Sequence, residues 1–289
     1  MKKVARSLRV FVTNIADSII SIPVVLFFSN FFSFRNTKGE AKKSTCWILA
    51  NGPSLNNDIL NINLNKREEF DLCVVNEFCF SEQFEALKPE LYVIIDPAYW
   101  LKNHQVVEDV IERFYASLNG KVKWQMKLYV PFSGCRAVAK RITNATIKLV
   151  PFNNTPVKGF TFFEQFLYKY NLGVTQLQNV VVGAIYLGIL MGYHKINLLG
   201  VDHDWHKNIH VDRDNHVVWA NKHFYDTASN EDSYERIYSG EGYFDMQQIF
   251  HALSVTHQSY RKLALYAKNK KINISNYTAG SCIDVFERK

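Results

Sequence analysis

The sequence predicts an α/β fold: a Rossmann-like, mainly parallel sheet with helices on both faces, an apolar N-terminal helix and a polar lid insert. Three observations predict it. Short apolar runs recur along the chain, helical patterns separate them, and turn-forming or polar residues follow several runs directly. In a sheet of this kind ligands bind beyond the carboxyl ends of strands, so the residues just after each run are the site candidates.

The first strand is expected over 44–50, the second over 72–75 and the third over 91–95. Weaker runs lie at 127–130 and 146–150, a strong one at 195–199, and a last one at 271–275. Helical patterns fall around 105–118, 159–170, 176–192 and 244–269. The stretch 203–242 breaks this rhythm. It is polar, rich in His, Asp, Asn and Tyr, and reads as a lid or acceptor-binding insert. The chain divides into a basic and apolar segment, 1–43, and a nucleotide-binding-type α/β domain, 44–289.

The net charge of +7 suits an anionic partner. No zinc-finger spacing and no RNA-binding aromatic signature is present, so nucleic acid is excluded as the expected partner. The five cysteines are widely spaced and odd in number, which points to small buried hydrophobes in a reducing compartment. Between Arg9 and Arg35 the only charge is Asp17, and basic residues flank the apolar run 18–34 on both sides. The run is slightly short for a spanning helix and contains Pro23 and Asn30. A helix or hairpin embedded in the cytoplasmic leaflet through residues 1–36 is expected, at the cytoplasmic face of the inner membrane.

The candidate ligand loops follow the strands. Asn51-Gly52-Pro53-Ser54-Leu55 comes after the first, with Gly52 allowing close backbone approach and Asn51 and Ser54 offering polar groups. Asn76 ends the second strand and Asp96 the third; each alone would serve as a helix cap. Gly200, Asp202 and His203 follow the strong late strand, where Asp202 could accept from ribose hydroxyls or a base. His203 and His206, with Asp212 or Asp214, have metal-ligand chemistry, but no standard spacing supports a metal site, and none is assigned. Group transfer to a hydroxyl needs a general base, for which His223 and His257 are the candidates. His257 shares a helical stripe with Phe250, Leu253, Tyr260 and Ala264 that should face the sheet, so a satisfied core histidine is its competing reading. Tyr225, Tyr234, Tyr238 and Tyr243 could stabilise a departing phosphate or simply pack.

In this order the motifs resemble the bacterial lipooligosaccharide sialyltransferases, which use a CMP-activated sugar. The resemblance is carried by the Asn51 to Leu55 pentapeptide, Asn76-Glu77-Phe78-Cys79-Phe80, Asp96-Pro97, Met191-Gly192-Tyr193 and Gly200-Val201-Asp202. It covers 44–205, and more loosely extends to 286. It implies a nucleotide-sugar transferase that needs no metal cofactor and associates with a membrane. It further implies a lid histidine as base, a CMP-activated donor of sialic acid or Kdo type, and a glycan or glycolipid acceptor. Asp204 stands where that family carries a tyrosine. The chain is also similar to the group that includes the archaeal 6-hydroxymethylpterin diphosphokinases, which would imply Mg and a nucleoside triphosphate held by Asp202 and Asp204. A third expectation is a non-catalytic, membrane-tethered nucleotide-binding module.

Overall fold

The computed structural model describes residues 2–32, 37–101, 105–219, 236 and 242–289, with the backbone alone at 2–4 and 105–107. The chain begins with helix α1 (Lys2–Phe28). Five strands then follow in succession: β1 (Thr45–Leu49), β2 (Phe70–Val75), β3 (Leu91–Val93), β4 (Met126–Pro131) and β5 (Ile147–Phe152). Helices α2 (Leu55–Asp58), α3 (Gln83–Leu87), α4 (Gln105–Lys121) and α5 (Phe132–Ala139) fall between them. Then come α6 (Thr161–Lys169), α7 (Val180–Met191), β6 (Lys195–Leu199), the hairpin β7 (Ile209–Val211) and β8 (Val217–Trp219), α8 (Met246–Asn269), β9 (Asn273–Asn276) and β10 (Glu287–Arg288).

Among the described residues one sheet has eight strands in the order β10-β9-β6-β1-β2-β3-β4-β5, and every pairing in it is parallel. Parallel strands buried on both faces need nearly continuous apolar sequence, and β2 meets this with all six residues buried. Cys46, Ile48, Cys73, Val75 and Val93 point to one face, where α6, α7 and α8 cover them. Trp47, Leu49, Leu72, Val74 and Leu128 point to the other, under α4 and the short helices. The alternation along each strand thus feeds two cores.

Helix α7 is hydrophobic all round because all twelve of its residues are buried. Its start is fixed by Asn179, whose side-chain oxygen accepts from Val181 N at 2.8 Å, a cap worth about 1 kcal/mol. It ends at Gly192, which takes the left-handed conformation at φ +91°. Helix α8 starts in a capping box: Asp245 accepts from Gln248 N, and Gln248 Oε1 accepts from Asp245 N.

Three expectations change. The expected inward stripe of α8 does not hold at Phe250, which is 52% exposed; Leu253, His257 and Ala264 are half-buried and Tyr260 is fully buried. Helices α2, α3 and α5 and strand β10 are additions to the expected elements. The polar insert is not irregular at its start, because 209–219 forms an antiparallel hairpin. The expected apolar helix of the N-terminus is present as α1, and it is docked along the domain.

Candidate functional site

Strand β1 pairs with β2 on one side and β6 on the other, and the chain order reverses there. At such a switch point the loops after two adjacent strands turn apart and leave a crevice at their carboxyl ends. The two loops here are 50–55 and 200–205. Backbone bonds carry the β1–β6 ladder past the strands, from Ala50 N to Leu199 O and from Gly52 N to Gly200 O, both 2.9 Å.

Glycine is required on both loops. A Cβ on Gly52 would sit 1.8 Å from Asp202 Oδ2 and 2.5 Å from Gly200 O. Gly200 has φ +66°, and its Cβ would meet Ala50 O at 2.6 Å. That closeness lets Ser54 brace the facing loop: its Oγ donates to Asp202 Oδ2 at 2.9 Å and its backbone N to Oδ1 at 3.3 Å. Burial raises the Asp202 carboxyl above its ordinary pKa, and nearby Asp204 adds to this, while the two bonds from Ser54 pull the other way.

Asn51 and Asn76 stand two residues beyond the paired Leu49 and Val74, at the same level of the sheet edge. The Asn51 amide nitrogen donates to Val75 O at 3.3 Å. A carbonyl can only accept, so this bond fixes which way the amide points and leaves Oδ1 on its other side. That oxygen is buried and has no hydrogen-bond partner among the described residues, and the same is true of Asn76 Oδ1. Asn76 holds φ +48°, a conformation that asparagine tolerates better than most residues, and its carbonyl accepts from the Tyr92 hydroxyl. Asp96 also lies past its strand, but it is exposed, and its carboxylate caps the turn Pro97–Tyr99 through Ala98 N at 2.8 Å.

His203 is buried, with φ +54°. Its Nε2 lies 2.6 Å from the Tyr260 hydroxyl on α8, and that hydroxyl donates to Asn179 Oδ1, the cap of α7, at 3.4 Å. The crevice loop is thereby tied to two helices. Burial, with His257 adding a smaller push, drives the His203 pKa down from 6.5 to about 3, so the imidazole is neutral at any physiological pH. Trp205 packs tilted against the His203 ring at 4.3 Å and meets Trp219 of the hairpin at 6.0 Å, anchoring the start of the insert against the crevice loop. His257 is half-buried one turn before Tyr260, with ring centroids 6.3 Å apart.

His223, Tyr225, Tyr234 and Tyr238 lie outside the described residues. The structure does not gather His203 with Asp212 or Asp214, because the His203 ring is committed to Tyr260. Asp212, Asp214 and His216 instead converge within 4.8 Å at the hairpin turn. Asp212 Oδ1 there accepts from the backbone N of Asp214 and of His216, as turn-forming aspartates do, which holds its carboxyl below the ordinary range. Two surface grooves, of 410 and 400 Å³, lie elsewhere: beside α8 and the start of β9, and between α1, α6 and α8. Neither has the strand-end polar groups that converge at the crevice.

Sequence reasoning missed Asn179 and Tyr260 as supports of the site. Asn179 carried a signal, since an asparagine directly before a long apolar helix is a capping pattern. No family model matches the chain, and no curated protein does.

Proposed function

We propose that the protein is a nucleotide-sugar-dependent glycosyltransferase of bacterial surface polysaccharide or lipooligosaccharide assembly. It transfers a sialic acid- or Kdo-type sugar from a CMP-activated donor to an acceptor hydroxyl at the cytoplasmic face of the inner membrane. The observation that carries this reading is the pair of buried, unpartnered amide oxygens, Asn51 Oδ1 and Asn76 Oδ1, at the neighbouring carboxyl ends of β1 and β2, beside the switch point. A buried acceptor without a donor costs about 1–3 kcal/mol, so a site that keeps two of them is shaped for a ligand bearing N–H or O–H groups. A nucleoside offers both, in its exocyclic amine and ribose hydroxyls. Gly52 and Gly200 let the ligand approach the backbone, and Ser54 and Asp202 hold the two loops at fixed separation.

In the transfer step the acceptor hydroxyl gives its proton to a base, His257 or His223. Its oxygen bonds the anomeric carbon as the bond from that carbon to the phosphate oxygen breaks. CMP leaves with the electron pair, and Tyr225 is the tyrosine this reading assigns to stabilise it. The alternative diphosphokinase reading asks Asp202 and Asp204 to hold Mg. Both Asp202 oxygens already accept from Ser54, and Asp204 is engaged by Lys207 at 3.4 Å, which favours the transferase. Thermal-shift measurement with CMP, CDP, UDP and ATP with Mg tests the choice. Stabilisation by CMP supports the reading; stabilisation by ATP with Mg and not by CMP overturns it. A purified protein that binds CMP but releases none from CMP-sialic acid or CMP-Kdo would instead be a binding module.

A further inference from the structure

Helix α1 is built inside out for water. Its stripe Asn14, Asp17, Ser18, Ser21, Val24 and Val25 faces the domain, and most of that stripe is polar. The opposite, broader face carries Leu8, Val12, Ile15, Ile19, Ile22 and Leu26, each 39% or more exposed. A surface helix in water buries its apolar stripe and shows its polar one. Over Ala5–Phe28 this one does the reverse for 24 residues.

The polar stripe forms a continuous seam. Ser21 Oγ donates to Lys158 O at 2.8 Å and accepts from Lys158 N at 2.9 Å. Ser18 Oγ accepts from Phe160 N at 3.2 Å, and a Cβ on Gly159 would lie 2.1 Å from that oxygen. Phe11 meets Phe160 edge-on at 5.5 Å, and at the far end Thr155 Oγ1 donates to Phe28 O at 3.3 Å. Just past the helix, Asn30 and Asn153 exchange two bonds of 2.9 and 2.8 Å.

We infer that α1 lies in the plane of a bilayer, its apolar face in the acyl layer of one leaflet, and does not cross it. The seam decides between these placements. From Phe11 to Phe28 it covers about 26 Å at 1.5 Å per residue, close to the whole thickness of a hydrocarbon core of about 30 Å. A perpendicular α1 would draw the irregular backbone at 155–160 into hydrocarbon, where non-helical backbone facing lipid is not tolerated. It would also carry in the charged residues that line the groove beside the seam: Asp17, Lys158, Glu164 and Lys262. A helix lying flat needs none of this. The apolar surface continues onto α6, where Phe162 and Phe166 are 75% and 55% exposed and Phe162 stacks on Phe160 at 5.7 Å. Exposed Arg6 and Arg9 near its N-terminal end suit anionic headgroups. The partner is therefore a lipid surface containing anionic phospholipid, bound by a rigid unit of α1 and the start of α6.

Two measurements test this on the full chain. In flotation with vesicles of phosphatidylglycerol and phosphatidylethanolamine, the wild-type protein rises with the lipid. Replacing Ile15, Ile19 and Leu26 by Glu lowers partitioning by roughly tenfold or more per side chain, the worth of removing one buried aliphatic group. Protein that stays at the bottom, or that instead forms a dimer covering α1, overturns the inference. The second measurement labels Ser7→Cys and Lys42→Cys, each in a Cys135→Ser, Cys282→Ser background, with a membrane-impermeant maleimide in sealed vesicles. Both positions react from the same side if α1 lies flat. Reaction from opposite sides shows that α1 spans and overturns the inference, whatever the flotation result. A failure of CMP binding would leave both measurements unaffected.

Discussion

Acid should unfold this protein through His203. The ring is buried against Tyr260, and its pKa falls from 6.5 to about 3 in the fold. Between those values the unfolded chain binds a proton that the folded chain refuses. The stability His203 protects is therefore present above about pH 6.5 and lost as the pH falls toward 3. From about pH 7 to about pH 4.5 the linkage integral gives a loss on the order of 2–3 kcal/mol for this one group. The control is His203→Asn, because asparagine accepts the φ of +54° that most residues resist. Urea denaturation of both proteins at the two pH values isolates the histidine from carboxylates common to both. Wild type should lose on the order of 2–3 kcal/mol more than the variant across the interval. Equal losses would refute the reasoning, since they would mean that His203 takes up its proton within the folded state.

Two further predictions concern the crevice and the core. Gly52→Ala forces a methyl into the Asp202 carboxylate and should cost about 2 kcal/mol of stability by overpacking, read from the denaturation midpoint, together with loss of CMP binding. Burial pushes the Cys46 and Cys73 thiols far above their ordinary pKa and that of Cys79 up to about 12. A thiol reagent should therefore reach Cys135 and Cys282 in the native protein, and all five cysteines only after denaturation.

What could be read from the sequence was whatever local pattern determines. The run at 195–199 coincides with β6 because a buried parallel strand needs continuous apolar residues, and the pattern at 176–192 contains α7 with its Asn179 cap. Helix α5 was not legible. It is eight residues long, contains Gly134, and starts directly after β4 with no intervening loop signal. The hairpin 209–219 was hidden by the polar residues around it, although the short runs Ile209–Val211 and Val217–Trp219 on either side of the Asp212 to Asn215 turn were its signal. At the crevice, the strand-end positions of Asn51, Gly52, Ser54, Asn76, Gly200 and Asp202 followed from the alternation of strands and helices. Their relations did not. The Ser54–Asp202 brace joins residues 148 apart in the chain, and the His203–Tyr260 bond joins residues 57 apart. Which amide oxygens remain without donors depends on the β1–β2 register, which sets Asn51 beside Val75 O. The resemblance supplied an expected donor class; the unpartnered oxygens are an observation independent of it.

In the proposed function the nucleotide of an activated sugar binds at the carboxyl ends of β1, β2 and β6 through those two oxygens. Calorimetric titration of CMP into wild type, Asn51→Ala and Asn76→Ala tests it most directly. The account predicts measurable wild-type binding and a loss of roughly tenfold in affinity for each variant, the worth of about one hydrogen bond to a buried acceptor. Wild-type affinity retained in both variants, or heat absent from all three, would contradict it.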